Sequence, residues 1–134
     1  MTIKFGTQNI RDIGAFERIT KVHVIDCIRD ESGVYFMIEP GKSGLAIGKN
    51  GTVIRNVSRV LGKTVKVFEF AESPEDMVKN MIPSAKSIEI VRDSVVVTIP
   101  NSDRSVTIGR SGRNIKVMKE FLSRHFKVNY LRLR

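Results

Sequence analysis

Two stretches of the chain have the residue types and spacing to hold a phosphate. Ile47-Gly48-Lys49-Asn50-Gly51 and Ile108-Gly109-Arg110-Ser111-Gly112 share the pattern Ile-Gly-cation-x-Gly, and their first glycines stand 61 residues apart. Glycine adopts backbone angles that other residues avoid, and it has no side chain to keep a ligand away. Each loop leads into a segment with helical apolar spacing, so it opens onto a helix N-terminus. There the first amides lack intrahelical partners and the dipole favours negative charge. A nucleic-acid backbone lying against either loop would gain a further cationic contact from Lys49 or Arg110. Such contacts position a strand and do not read its sequence. Reading falls to the groove beside each loop, with Ile47, Val53 and Ile54 as floor in the first copy and Ile108 and Ile115 in the second. Arg55, Arg113 and Lys116 follow within the next turns as further contacts, although a helix also carries such charges merely as its solvated face.

Charge agrees with that chemistry. The 134 residues hold 23 lysines and arginines against 14 acids, a net charge of +9. A basic domain is the electrostatic footprint of a nucleic-acid binder. Residues 42–66 contain six basic residues and no acid, and residues 104–134 contain nine basic residues and only Glu120. The acids gather outside these tracts, at Asp26, Asp30, Glu31 and Glu39 before the first and at Glu69, Glu72, Glu75 and Asp76 between the two.

Other chemistries fail on inspection. Gly41-Lys42-Ser43 lacks a phosphate-loop glycine five places earlier, where Phe36 stands, and Gly62-Lys63-Thr64 has Val57 in that place. A single cysteine, Cys27, excludes an intramolecular disulfide and a cysteine-rich zinc site. His23 and His125 have no evident catalytic partners and read as structural, so no enzyme, cofactor or metal is expected. The nine phenylalanines and tyrosines fall mostly at core-pattern positions, which argues against an aromatic stacking platform. No apolar run reaches the roughly 20 residues of a membrane span. Residues 1–6 lack the apolar core of a secretory signal, and the expected location is cytoplasmic.

The elements that position the loops repeat as well. The same offset places Val34 on Val95, Ile38 on Ile99, Leu61 on Leu122, Lys66 on Lys127 and Val67 on Val128. In the first half, residues 8–19 suit a helix with Ile10, Ile13, Phe16 and Ile19 inward. Residues 20–29 and 34–39 suit strands around an Asp30-Glu31-Ser32-Gly33 turn. A short helix over 43–47 precedes the loop. Val53, Ile54, Val57, Val60 and Leu61 mark one face of a helix over 52–61, which Gly62 ends. Residues 64–70 form a third strand. In the second half, Ser73-Pro74-Glu75-Asp76 starts a helix that Pro83 stops. Strands over 86–92 and 94–100 flank a turn at Asp93-Ser94. A short helix near 103–108, a helix faced by Ile115, Met118, Phe121 and Leu122, and a last strand over 126–133 complete it.

A G-x-x-G joining two helices inside α-β-β-α-α-β resembles the type II KH domain, whose loop clamps about four nucleotides. The whole chain resembles the tandem KH region of the NusA transcription factors in their short archaeal form. That likeness rests on Ile10, Phe16–Glu17–Arg18–Ile19–Thr20, Pro40–Gly41, Gly44–Leu45–Ala46–Ile47–Gly48–Lys49 and Ile108–Gly109–Arg110–Ser111–Gly112–Arg113–Asn114–Ile115–Lys116. It implies an α+β fold of two tandem type II KH domains, over 1–71 and 72–134, packed as one unit. It implies a monomer that binds single-stranded RNA through both loops in transcription elongation or termination, with no membrane role. The chain leaves no room for the N-terminal polymerase-binding domain or the S1 domain of the bacterial form, so contact with RNA polymerase stays open. Action in ribosomal RNA maturation, or as a protein adaptor on KH folds, is the alternative.

Overall fold

The computed structural model describes residues 6–134. Residues 1–5, most of the stretch read above for a secretory signal, lie outside it. The described residues form two compact units that meet in sequence at Phe70 and Ala71. Each has the order α-β-β-α-α-β and one three-stranded sheet.

In the first unit, helix α1 (Thr7–Thr20) ends where Lys21 turns left-handed and its amide donates to the Glu17 carbonyl. The helix therefore takes the start of the expected first strand, and β1 begins at Val24. Strand β1 (Val24–Arg29) runs antiparallel to β2 (Gly33–Ile38), with Cys27 opposite Phe36. Between them the Asp30 carboxylate accepts from the amides of Ser32 and Gly33 at 2.8 and 2.9 Å. Strand β3 (Thr64–Glu69) lies parallel to β2, with Val34 beside Val65. The core joins Phe16, Val22, Val34, Phe36, Ile38, Ala46, Val57 and Val65, and the Phe16 and Phe36 rings stack at 4.2 Å. Each fully buried phenylalanine is worth about 1.5–3 kcal/mol of transfer free energy.

Two polar ties hold α1 to this sheet. The buried Asp12 carboxylate accepts from Arg29 Nε at 2.8 Å, and this bond raises the Arg29 pKa. Glu17 accepts from the Val24 amide at 2.8 Å and lies 3.1 Å from His23 Nδ1, so His23 does have a partner. Ile10, expected inward, is 61% exposed, at the rim of an open hollow that it lines with Ile13, Glu17 and Val24. Burial pushes the Cys27 thiol up to about 12.

In the second unit, Ser73 Oγ caps α4 (Pro74–Met81) by accepting from the Asp76 amide at 3.2 Å. Strands β4 (Ser87–Val91) and β5 (Ser94–Thr98) pair antiparallel with Val91 opposite Ser94. The turn is thus Arg92-Asp93, one residue earlier than expected, with Arg92 left-handed at φ 58°. Strand β6 (Tyr130–Leu133) lies parallel to β5 and starts later than expected. Helix α6 (Arg113–Phe126) continues through residues expected in that strand and ends at a left-handed Lys127. Met77, Val78, Met81, Val95, Val97, Val117, Met118, Phe121 and Leu122 form the buried side of these elements.

The uniform offset therefore fails after the second loop. Helix α6 has 14 residues where its counterpart α3 (Thr52–Leu61) has 10. Strand register equates Val65 with Leu131 and Thr64 with Tyr130, so Lys66 and Lys127 are not equivalent, nor are Val67 and Val128. No helix among the described residues is long and apolar enough to cross a membrane.

Candidate nucleic-acid interface

Both loops sit between a five-residue helix and a longer one. Helix α2 (Ser43–Ile47) leads to Gly48, a 3₁₀ turn over Lys49–Gly51, and α3. Helix α5 (Arg104–Ile108) leads to Gly109, a turn over Arg110–Gly112, and α6. The first glycine adopts φ 77° and ψ 171° in one loop and φ 78° and ψ 168° in the other. This region is open essentially to glycine alone. Space imposes the same choice. A Cβ on Gly48 would lie 2.4 Å from Val53 Cγ2, and one on Gly109 would lie 2.8 Å from Asn114 Cγ.

The third loop residue is left-handed in both copies, Asn50 at φ 56° and Ser111 at φ 59°. The closing glycines Gly51 and Gly112 follow at φ 73° and 74°. The amides of Gly51 and Gly112 donate back to the Gly48 and Gly109 carbonyls, at 3.1 Å each. The loops are therefore the same backbone built twice from different side chains.

No side chain caps α3 or α6, although the first amide of each, on Thr52 and Arg113, bonds back to Lys49 and Arg110. No side chain competes for the remaining amides of the first turn. Lys49, Asn50, Arg110 and Ser111 are exposed, and Gly48, Gly51, Gly109 and Gly112 are half-buried. The Arg55 guanidinium folds back to Gly51, within 3.3 Å of where a Cβ would stand. Arg113 is half-buried and Lys116 exposed. None of these cations joins an ion pair with an acid among the described residues. The positive charge is thus free to act on an anion.

The residues expected to line the grooves divide. Ile47 is 39% exposed beside the first loop, whereas Ile108 is half-buried. Ile54 packs against the core, and Ile115 is half-buried at the matching place. Sequence reasoning missed Leu45 and Val106, which are 57% and 74% exposed on the short helices. Their signal was the offset of 61, which makes them equivalent apolar residues on a solvent face. It also missed Asn114, whose Nδ2 donates to the Val106 carbonyl at 3.1 Å. Among the described residues no cluster of three or more His, Cys, Asp or Glu is placed to hold a metal.

Two α-β-β-α-α-β units, each with a G-x-x-G bend before an uncapped helix, define a tandem KH protein of type II. No protein-family model matches the chain. It is 30% identical to "Probable transcription termination protein NusA" of Halobacterium salinarum over 138 residues, covering 99% of both chains. The protein of the same name from Methanocaldococcus jannaschii is 26% identical over 137 residues, 98% of this chain and 75% of that one. The crystal structure of APE1850 superposes with a TM-score of 0.78 at 30% identity, over 97% of this chain and all of that one. The chain belongs to the archaeal NusA-like family of transcription termination proteins.

Proposed function

We propose that the chain binds single-stranded RNA in the cytoplasm through both glycine loops and acts in transcription elongation or termination. One observation carries the binding: the same strained loop is built twice, each time before an uncapped helix and among unpaired cations. The amides and cations hold the sugar-phosphate chain, and the short apolar helices flank the bases. Two sites on one chain raise the effective concentration at the second once the first is filled. The names of the relatives favour transcription over ribosomal RNA maturation. Lys49, Asn50, Gly51, Arg55, Arg110, Ser111, Arg113 and Lys116 are the contacts we assign.

Titration with single-stranded RNA tests this. Replacing Lys49-Asn50 by Asp-Asp, or Arg110-Ser111 likewise, lowers affinity about tenfold, and both together about a hundredfold or more. If four to six phosphates are neutralised, log affinity falls against log salt with a slope of about −3 to −4. Unchanged affinity in the quadruple variant, or a flat salt curve, refutes the reading.

A further inference from the structure

We propose that the second unit carries a nucleobase-stacking platform at Tyr130, which extends its RNA contact beyond the glycine loop. The proposal rests on the RNA-binding reading and goes past it, since the KH loop and groove do not require this residue.

The two units diverge most at the far end of α3 and α6. In the first, Ser58 Oγ donates to the Lys63 carbonyl at 2.6 Å, and Thr64 opens the last strand. At the matching places the second unit has Lys119 and Tyr130. Lys119 Nζ lies 5.6 Å from the centroid of the Tyr130 ring. Tyr130 is nonetheless 53% exposed, whereas the chain's other tyrosine, Tyr35, is 5% exposed. Among the described aromatic residues, the expectation of a core position fails most clearly at this ring.

The platform is braced before any ligand arrives. The Asn129 and Tyr130 amides both donate to the Asp93 carbonyl, at 2.8 and 3.2 Å. Asn129 Nδ2 donates to the Asp93 carboxylate at 3.2 Å, and Ser123 Oγ donates to Asn129 Oδ1 at 3.3 Å. A base stacking here orders little that is not already ordered. Val91, 58% exposed, lies in the same row two strands away, with Ser94 between it and Tyr130, so the face beyond the ring is partly apolar.

Charge selects the occupant. Arg113, Lys116 and Lys119 follow one another along α6 at three-residue spacing, which covers about 9 Å of helix from the loop to the ring. Arg92 is presented at the neighbouring turn. Of the acids on these elements, Glu120 is engaged by Arg124 at 3.1 Å and Asp93 by Asn129, while Glu89 lies one row along the same sheet face, beside Val96 and Arg132. A polyanion with flat, unpaired bases fits this line. Base–aromatic stacking tolerates any sequence, because every base offers a π-face.

The test uses the full chain with the first loop disabled by Lys49→Asp and Asn50→Asp, so that length is read at the second unit alone. Two oligouridylates are titrated, one of about four nucleotides, the span of a single loop, and one of about eight. Tyr130→Thr borrows the first unit's own strand residue. It is expected to weaken the longer oligomer about tenfold and leave the shorter unchanged, while Tyr130→Trp restores affinity. The chain has no tryptophan. Tyrosine emission therefore falls as the longer oligomer binds, and this quenching is lost in Tyr130→Phe. Equal affinities for Tyr130→Thr and the parent, or binding without quenching, overturns the platform while the loops still stand. If Arg110→Asp and Ser111→Asp then fail to reduce binding as well, the RNA reading falls with it.

Discussion

The two units agree where the backbone must pass close to another helix and differ almost everywhere else. Gly48 and Gly109 match within a few degrees, as do Asn50 and Ser111, although Lys49 is replaced by Arg110. Behind the first glycine stands Val53 in one unit and Asn114 in the other. The first core stacks Phe16 on Phe36 beneath a 14-residue α1; the second uses Met77, Val78 and Met81 from an eight-residue α4. The phosphate-facing surface is therefore a property of the main chain. It demands glycine at its two ends, asks only for positive charge at the second place, and accepts a left-handed Asn or Ser at the third at a cost of about 1 kcal/mol.

The largest effect contrasts the cores. Phe36→Ala and Phe121→Ala each remove a fully buried ring and are expected to cost about 4 kcal/mol in urea unfolding. Cys27 reports on the first unit alone. At pH 8 its raised pKa leaves far fewer thiolates than an open chain has, so alkylation follows opening. Phe36→Ala accelerates that alkylation more than Phe121→Ala does. Equal acceleration means that the cores melt together and that the units cannot be compared separately. The same thiol sets an alkaline limit. Its folded pKa lies above the unfolded value of 9.0, so its contribution is intact below pH 9 and is lost as pH rises toward 12.

The loops were legible in the sequence because glycine reports backbone geometry directly. Helix α3 was legible over its full length because Val53, Ile54, Val57 and Leu61 keep helical spacing up to Gly62. The second half was harder. The extra turn of α6 preserves the 3.6-residue rhythm, so an ungapped offset of 61 continued past the point where the structures part. Phe126 and Val128 then read as strand although Phe126 is helical and Lys127 is the cap. The exposure of Ile10 and Tyr130 was hidden for another reason. A residue type shows what a side chain prefers, whereas burial depends on which element arrives opposite it. Asn114 looked like an ordinary helix residue, since its partner is eight positions away in sequence and belongs to another helix.

A middle-sized effect sharpens the claim about the main chain. Gly48→Ala and Gly109→Ala force a side chain into a glycine-only region and against the backbone amide of Val53 or Asn114, 2.9 Å from the new Cβ in both cases. Each is expected to cost about 2–3 kcal/mol, with loss of RNA contact at that loop. The two costs should match, because the clash with backbone is the same. A cheap Gly109→Ala beside an expensive Gly48→Ala would show that the loops are alike in shape but not in constraint.

The smallest effect probes the residue that differs. Helix α5 ends with carbonyls that have no partner within the helix, and Asn114 Nδ2 supplies one to Val106. Val53 offers no donor to Leu45 at the matching place, yet the first loop keeps the same path. Asn114→Val should therefore cost about 1 kcal/mol, the net worth of one hydrogen bond, and leave the second loop's conformation alone. With the first loop disabled, RNA affinity should change by less than about twofold, because the amides and Arg110 that meet the phosphates stay where they were. Urea unfolding and RNA titration measure the two quantities on one variant. A small loss of stability with a tenfold loss of affinity would mean that the side chain behind the glycine tunes the site. The equivalence of the loops would then hold for their shape and not for their binding.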